Sequence, residues 1–140
     1  MSSGGGARRK ARRRAVEILY EAEVRGATVE AVLERRRAQT EPPINDFTIG
    51  LAHAVDEHRE RLDTLLEDYA IDWSLERMPV VDRNILRMGA YELLWDGDIP
   101  DGVAISEAVA VARQLSTDES PSFINGLLSR LMENKAQLAP

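Results

Sequence analysis

Six basic residues crowd the first fourteen positions, Arg8, Arg9, Lys10, Arg12, Arg13 and Arg14, with no acid among them. A guanidinium keeps its charge at any physiological pH and donates paired hydrogen bonds to phosphate oxygens, so such a run suits a polyanion. Laid on a helix, Arg9, Arg13 and Tyr20 project together, while Ala11, Ala15, Ile18, Leu19 and Ala22 repeat at the spacing of a buried face. Arginines beside an exposed aromatic are the chemistry of single-stranded RNA binding: phosphate contacts from the cations, and stacking on unpaired bases at roughly 1 to 3 kcal/mol per base. Two blander readings stay open at this level. The run could be a solvated face, or an organelle address, which is often Arg-rich and acid-free. Against the address, the apolar stripe continues past Glu17, Glu21 and Glu23, so cleavage would remove a core helix.

Other chemistry finds little to work with. There is no cysteine, which excludes disulfides, thiolate nucleophiles and cysteine-ligated metal centres and fits a reducing cytoplasm. His53 and His58 are five positions apart, not the three or four that set two ligands side by side on a helix. Gly4–Gly6 follows no strand and lacks the spacing to a phosphate-loop lysine, and Asp118-Glu119 reads as a pair of acids meeting a helix dipole. The expectation is a protein that is not an enzyme and needs no cofactor or metal. Net charge is −6 over 140 residues, yet beyond the basic start the remaining 12 basic residues face 24 acidic ones. A basic end on an acidic body points to a local polyanion site.

The elements that must carry these residues are helical. The stretch Val80 to Trp95 places apolar side chains around most of a helix circumference, as expected of a central helix packed on several sides, with Pro79 at its first helical position. Asp82, Arg83, Arg87 and Glu92 on it must reach solvent or find partners. The spacing predicts a tail over 1–6, a helix from Ala7 to Gly26, and a shorter one capped by Thr28 with Arg35, Arg36 and Arg37 outward. A loop over Thr40–Asn45 follows, then one long helix from Phe47 to Tyr69 begun by Asn45 or Asp46. Ser74 suits the cap of a short turn. Helices over Val103–Ser116 and Ser122–Asn134 follow, separated by a break at Thr117–Pro121; Phe123 lies at the edge of the last inward stripe. No alternating strand pattern appears. The class is all-α, with six to seven helices in a single domain over 7–140 of two sub-bundles, about 7–71 and 72–134.

Four segments, ARRKARRRAVEILYEAEV, VDRNILRMGAYELLW, IPDGVAISEAVAVARQLS and SFINGLLSRL, in this order and spacing resemble the bacterial transcription antitermination factor NusB family over nearly the whole chain. The resemblance implies an all-helical, non-catalytic protein. It would bind the boxA element of ribosomal RNA operon transcripts jointly with NusE, a ribosomal small-subunit protein, within an RNA polymerase complex holding other Nus factors. Matched by motif, Arg8, Arg9, Arg12, Arg13, Tyr20 and Phe123 correspond to the RNA surface, and Asp82 to an acidic position associated with the protein partner. Pro121 and Ser122 depart from the more polar or basic residues of many relatives. A helical protein-interaction adaptor and a stand-alone RNA-binding domain related to that of rRNA methyltransferases are the competing functions; the latter requires an S-adenosylmethionine domain for which 140 residues leave no room. Monomer and symmetric homodimer are both compatible with these faces.

Overall fold

Local chemistry sets most helix boundaries. The computed structural model describes residues 2–39, 43–71 and 73–138, with backbone alone for 2–5. Helix α1 (Ser2–Arg25) ends at Gly26, whose φ of 66° is the left-handed conformation that glycine adopts without a Cβ penalty. Helix α2 (Val29–Gln39) opens where the Thr28 hydroxyl accepts the Ala31 N–H at 3.0 Å, and α3 (Asp46–Glu57) where Asn45 Oδ1 accepts the Phe47 N–H at 2.6 Å. There follow α4 (Arg59–Tyr69), a 3-10 turn (Leu75–Arg77), α5 (Val80–Leu94), α6 (Asp101–Leu115), α7 (Ser120–Glu133) and a single closing turn, α8 (Lys135–Leu138). No strand occurs among the described residues.

Several boundaries differ from those the spacing predicts. The single long helix over Phe47–Tyr69 is two. At His58 (φ −99°, ψ 10°) the helix is interrupted, and the imidazole Nδ1 donates to the Ala54 carbonyl at 2.8 Å while its ring packs against Tyr91 and Trp95. The break lets α3 pack on α1 while α4 packs on α5 and α7. Helix α1 is helical from Ser2, because extending a formed helix costs far less than nucleating one, even through Gly4–Gly6. Pro121 lies in the first turn of α7, where its missing N–H is not needed. Ser74 makes no side-chain cap; Glu67 Oε2 instead accepts the Leu75 N–H at 2.7 Å. Of the loop expected over Thr40–Asn45, residues 40–42 lie outside the described residues, as do Met1 and residue 72.

Helix α5 is the centre of the molecule. From Asp82 to Leu94 all of it is buried except Arg83 and Tyr91, and it touches α1, α3, α4, α6 and α7. Ile85, Leu86, Met88 and Leu93 share one core with Ile18, Leu33, Leu62, Leu66, Ile124, Leu127, Leu128 and Leu131. Each such side chain contributes about 1.5 to 3 kcal/mol by leaving water. The closest approach is at Gly89, where an added Cβ would stand 2.8 Å from Leu128 Cδ1 and 3.1 Å from the Ala108 Cβ. Overpacking of about 1 to 3 kcal/mol should therefore exceed the roughly 1 kcal/mol of helix propensity that Gly89→Ala gains. In urea unfolding Gly89→Ala is expected to lower stability by on the order of 1 kcal/mol. Gly50→Ala, on an exposed helical site with nothing within 4 Å, is expected to raise it by up to about 1 kcal/mol.

Candidate nucleic-acid interface

The arginines of α1 divide by the face they occupy. Arg12 points inward, 4 % exposed: its Nε lies 2.9 and 3.0 Å from the two Glu92 oxygens on α5, and Nη1 lies 3.5 Å from Glu107 on α6. Arg9 grips Glu107 with both a 3.1 Å and a 2.7 Å bond while remaining half exposed. Arg8 lies 4.3 Å over the Phe47 ring, and the Arg12 guanidinium 5.4 Å from the same ring. This is cation–π geometry. Arg13 is half-buried and forms no ion pair among the described residues, and Lys10 is exposed. Arg12, expected on the RNA surface, is thus a buried anchor, because its charge neutralises a carboxylate that α5 would otherwise bury alone.

Two acids and an aromatic that the sequence patterns do not mark as site residues hold this surface in place. Burial pushes the Glu92 carboxyl up, against the opposing pull of Arg12, whereas the hydrogen bonds from Arg9 draw Glu107 down. Both acids sit in apolar helical stretches, and that isolation is the one signal by which they could have been found. Phe47 supplies the ring face. The Thr48 hydroxyl, beside it, donates to the Ala11 carbonyl at 3.0 Å and ties α3 to α1.

Of the remaining expected site residues, Tyr20 lies toward the other end of α1, eleven residues or about 16 Å along the helix from Arg9, while Asp82 and Phe123 are carried by α5 and α7. Tyr20 is 43 % exposed and borders a shallow apolar groove of about 270 Å³ with Val16, Val81 and Leu115. Phe123 is half-buried, edge-on to Trp73 at 5.4 Å between centroids. Asp82, expected to project as a charge for a partner, is only 2 % exposed. It accepts hydrogen bonds from the hydroxyls of Ser116 and Ser120, the latter at 2.8 Å, and so pins the turn between α6 and α7. The serines it needs are more than thirty residues away, which local spacing does not disclose. A further network closes the C-terminal half of α1: Glu23 accepts from Arg83, Asn84 and Arg87, and Arg87 also grips Asp63 on α4. Burial alone would raise the Glu23 carboxyl, but the hydrogen bonds from Arg83 and Arg87 outweigh it and hold the pKa at about 2.

Comparison with known proteins decides the lineage. Residues 9–133 match the model of the NusB family. The chain belongs to the NusB family. A transcription antitermination protein NusB of Thermobifida fusca (strain YX) is 75 % identical over 134 residues, spanning 96 % of this chain and 94 % of the relative. The NusB of Nocardioides sp. (strain ATCC BAA-499 / JS614) is 51 % identical over 133 residues, spanning 95 % and 98 %. Among solved structures, T. maritima NusB superposes with a TM-score of 0.81 at 34 % identity over 92 % of both chains. A structure of the antitermination factors NusB and NusE in complex with dsRNA superposes at 0.79 and 24 % identity, covering 90 % of this chain and 96 % of that one, a likeness of fold. The helical arrangement described above is therefore the NusB fold.

Two stability measurements test the assigned roles. Arg12→Ala should lower unfolding free energy by about 3 to 5 kcal/mol, because Glu92 is left buried without its partner, whereas Arg13→Ala should stay within about 0.5 kcal/mol of the parent. Equal effects in denaturant melts would contradict the division of faces. The folded Glu23 carboxyl titrates at about 2 against an ordinary 4.5. Its contribution is then complete above pH 4.5 and is lost as pH falls toward 2. Glu23→Gln should cost roughly 2 to 3 kcal/mol at neutral pH and flatten the acid limb of a stability-versus-pH curve.

Proposed function

We propose that this NusB-family chain is a non-catalytic, cytoplasmic transcription antitermination factor. It binds single-stranded boxA-type RNA of ribosomal RNA operon transcripts together with NusE and supports processive transcription by RNA polymerase. The observation that carries the reading is the outward basic row of α1, clamped from behind by Glu92 and Glu107 through Arg12 and Arg9. The clamp matters because a cation already held in place loses less conformational freedom when a phosphate arrives. Arg8, Arg9 and Arg13 make the phosphate contacts, and Arg12 sets the pitch of the helix that presents them. Tyr20 offers an exposed ring for a base, and Phe123, braced by Trp73, offers a ring edge farther along. The name borne by the 75 % identical relative supports the antitermination role.

The protein partner is assigned to the neighbouring end of the molecule. Asp82 acts there through the turn it organises: with both carboxylate oxygens occupied by serine hydroxyls, it fixes the start of α7 beside the apolar groove at Tyr20, Val81 and Leu115. A partner that carries cations would find an acidic body and the apolar depression at Tyr20, and its charges would extend the RNA surface. RNA affinity should therefore rise when NusE is added.

Fluorescence anisotropy with a boxA-type RNA over a salt series tests this reading. Arg8→Ala with Arg13→Ala should flatten the slope of log affinity against log salt by about 0.7 per lost contact. Tyr20→Ala should cost about 1 to 3 kcal/mol of binding with the slope unchanged. If RNA affinity is negligible at low salt with NusE present, the chain is a protein-interaction adaptor and the proposal fails.

A further inference from the structure

Beside the surface just described, α1 and α2 enclose a second groove of about 410 Å³ with a distinct electrical character. Arg14 and Arg25 of α1 and Arg35 and Arg36 of α2 line it, against Glu17 and Glu21. Four arginines facing two carboxylates leave two positive charges in excess. Three other grooves among the described residues lack this excess. The one at Glu23, Arg59 and Asp63 holds three arginines and four acids, the one beside His58 two arginines and four acids, and the one at Arg113 a single arginine and a single acid. On a protein of net charge −6, a cationic groove is therefore a local feature and not a reflection of the whole.

The ion pairs inside the groove do not consume its charge. Glu21 alone serves three arginines: Arg36 through bonds of 3.0 and 2.8 Å, Arg25 at 3.1 Å and Arg35 at 3.4 Å. The Arg36 contact does the structural work of docking α2 on α1 and draws the carboxyl down. Arg25 and Arg35 are about half exposed, and exposed pairs of this kind are worth little. Arg14 forms no ion pair among the described residues. The groove is also continuous with the proposed RNA surface. At 100° per residue, Lys10, Arg14, Glu17, Glu21 and Arg25 fall on one stripe of α1, next to the stripe that carries Arg9, Arg13 and Tyr20.

We propose that this α1–α2 groove is a second phosphodiester-binding site, which takes the backbone of single-stranded RNA flanking the segment held by Arg8, Arg9 and Arg13. The inference rests on the RNA-binding reading above and deepens it. Recognition here is of charge without sequence, since arginines line the groove and no aromatic ring does. The bound strand runs from the Arg9–Arg13 row across Lys10 to the mouth formed by Arg14 and Arg35.

Anisotropy titrations on the full chain with NusE test it, using a minimal boxA-type RNA and the same RNA extended at either end by about six nucleotides, within the site size of single-strand grooves. One extension should raise affinity by about tenfold and steepen the salt slope by about 0.7 for each added phosphate contact. Arg14→Gln with Arg35→Gln should abolish that gain while leaving the minimal RNA unaffected, and Arg14→Lys with Arg35→Lys should keep most of it. Replacing the extension with neutral methylphosphonate linkages should also remove it. Thermal melts should show all variants folded, as neither residue makes a close ion pair. Binding of the minimal RNA with no gain from either extension, or a gain that survives Arg14→Gln with Arg35→Gln or the neutral linkages, overturns the second site and leaves the first standing. Failure of the minimal RNA to bind overturns both.

Discussion

A helix enclosed on nearly every side must still place its charges, and α5 places four of them against helices that pack on it. Glu92 meets Arg12, Arg83 and Arg87 meet Glu23, and Asp82 meets the serines of the α6–α7 turn. Ion pairs removed from water repay their desolvation only where the geometry is good and the remaining donors and acceptors are satisfied. Here they are: among the described residues no buried side-chain nitrogen or oxygen is left without a hydrogen-bond partner. The two pairs along α1 are of opposite sense, with a cation toward its start and an anion toward its end. They match an anion late and cations early in α5, so the helices lie antiparallel in one register. Turning α1 around would set arginine on arginine.

That pairing connects stability to function. The residues that fasten α1 to α5 and α6 belong to the same basic run as those it shows to solvent, spread around the helix at 3.6 residues per turn: Arg12 inward, Arg8 one turn earlier on the same side and over the Phe47 ring, Arg9 between, and Arg13 on the outward side. Glu107 illustrates the coupling, since it holds Arg9 and reaches Arg12 as well. A basic surface carried on a rigid, anchored helix can present its cations at a defined spacing, which a disordered arginine tail cannot do. The same logic applies at the other end of α1, where Glu21 fastens α2 through Arg36 while neighbouring arginines stay turned toward water.

How much of this the chain declares in advance depends on the range of the interaction. The apolar stripes at i, i+3, i+4 and i+7 announce α1, α6 and α7, apolar side chains around most of the circumference announce α5, and Thr28, Asn45 and Gly26 mark helix ends, because capping is settled within three residues. The family, too, could be named from four segments in order. The interruption at His58 could not be. The stripe from Phe47 to Tyr69 keeps its period through the break, and the rings that His58 packs against there, Tyr91 and Trp95, are more than thirty residues on.

The same distinction separates the site residues. Their types were legible: arginines, a tyrosine, a phenylalanine and an acid at the start of the central helix, each suited by its own chemistry to a phosphate, a base or a cationic partner. Burial was not legible, because it is a property of what a neighbouring helix brings to the same place. Arg12 and Arg13 are adjacent and chemically alike, and Arg12 shares the side of Ala15 and Leu19, yet only the arrival of Glu92 and Glu107 lets a guanidinium be buried there as an internal anchor. Asp82 was withdrawn from solvent by Ser116 and Ser120 in the same way. Composition and periodicity determined which helices form and which charges they carry, since both act along the chain. Only tertiary packing decided which of those charges face each other, since an ion pair across eighty residues exists only once the helices have met.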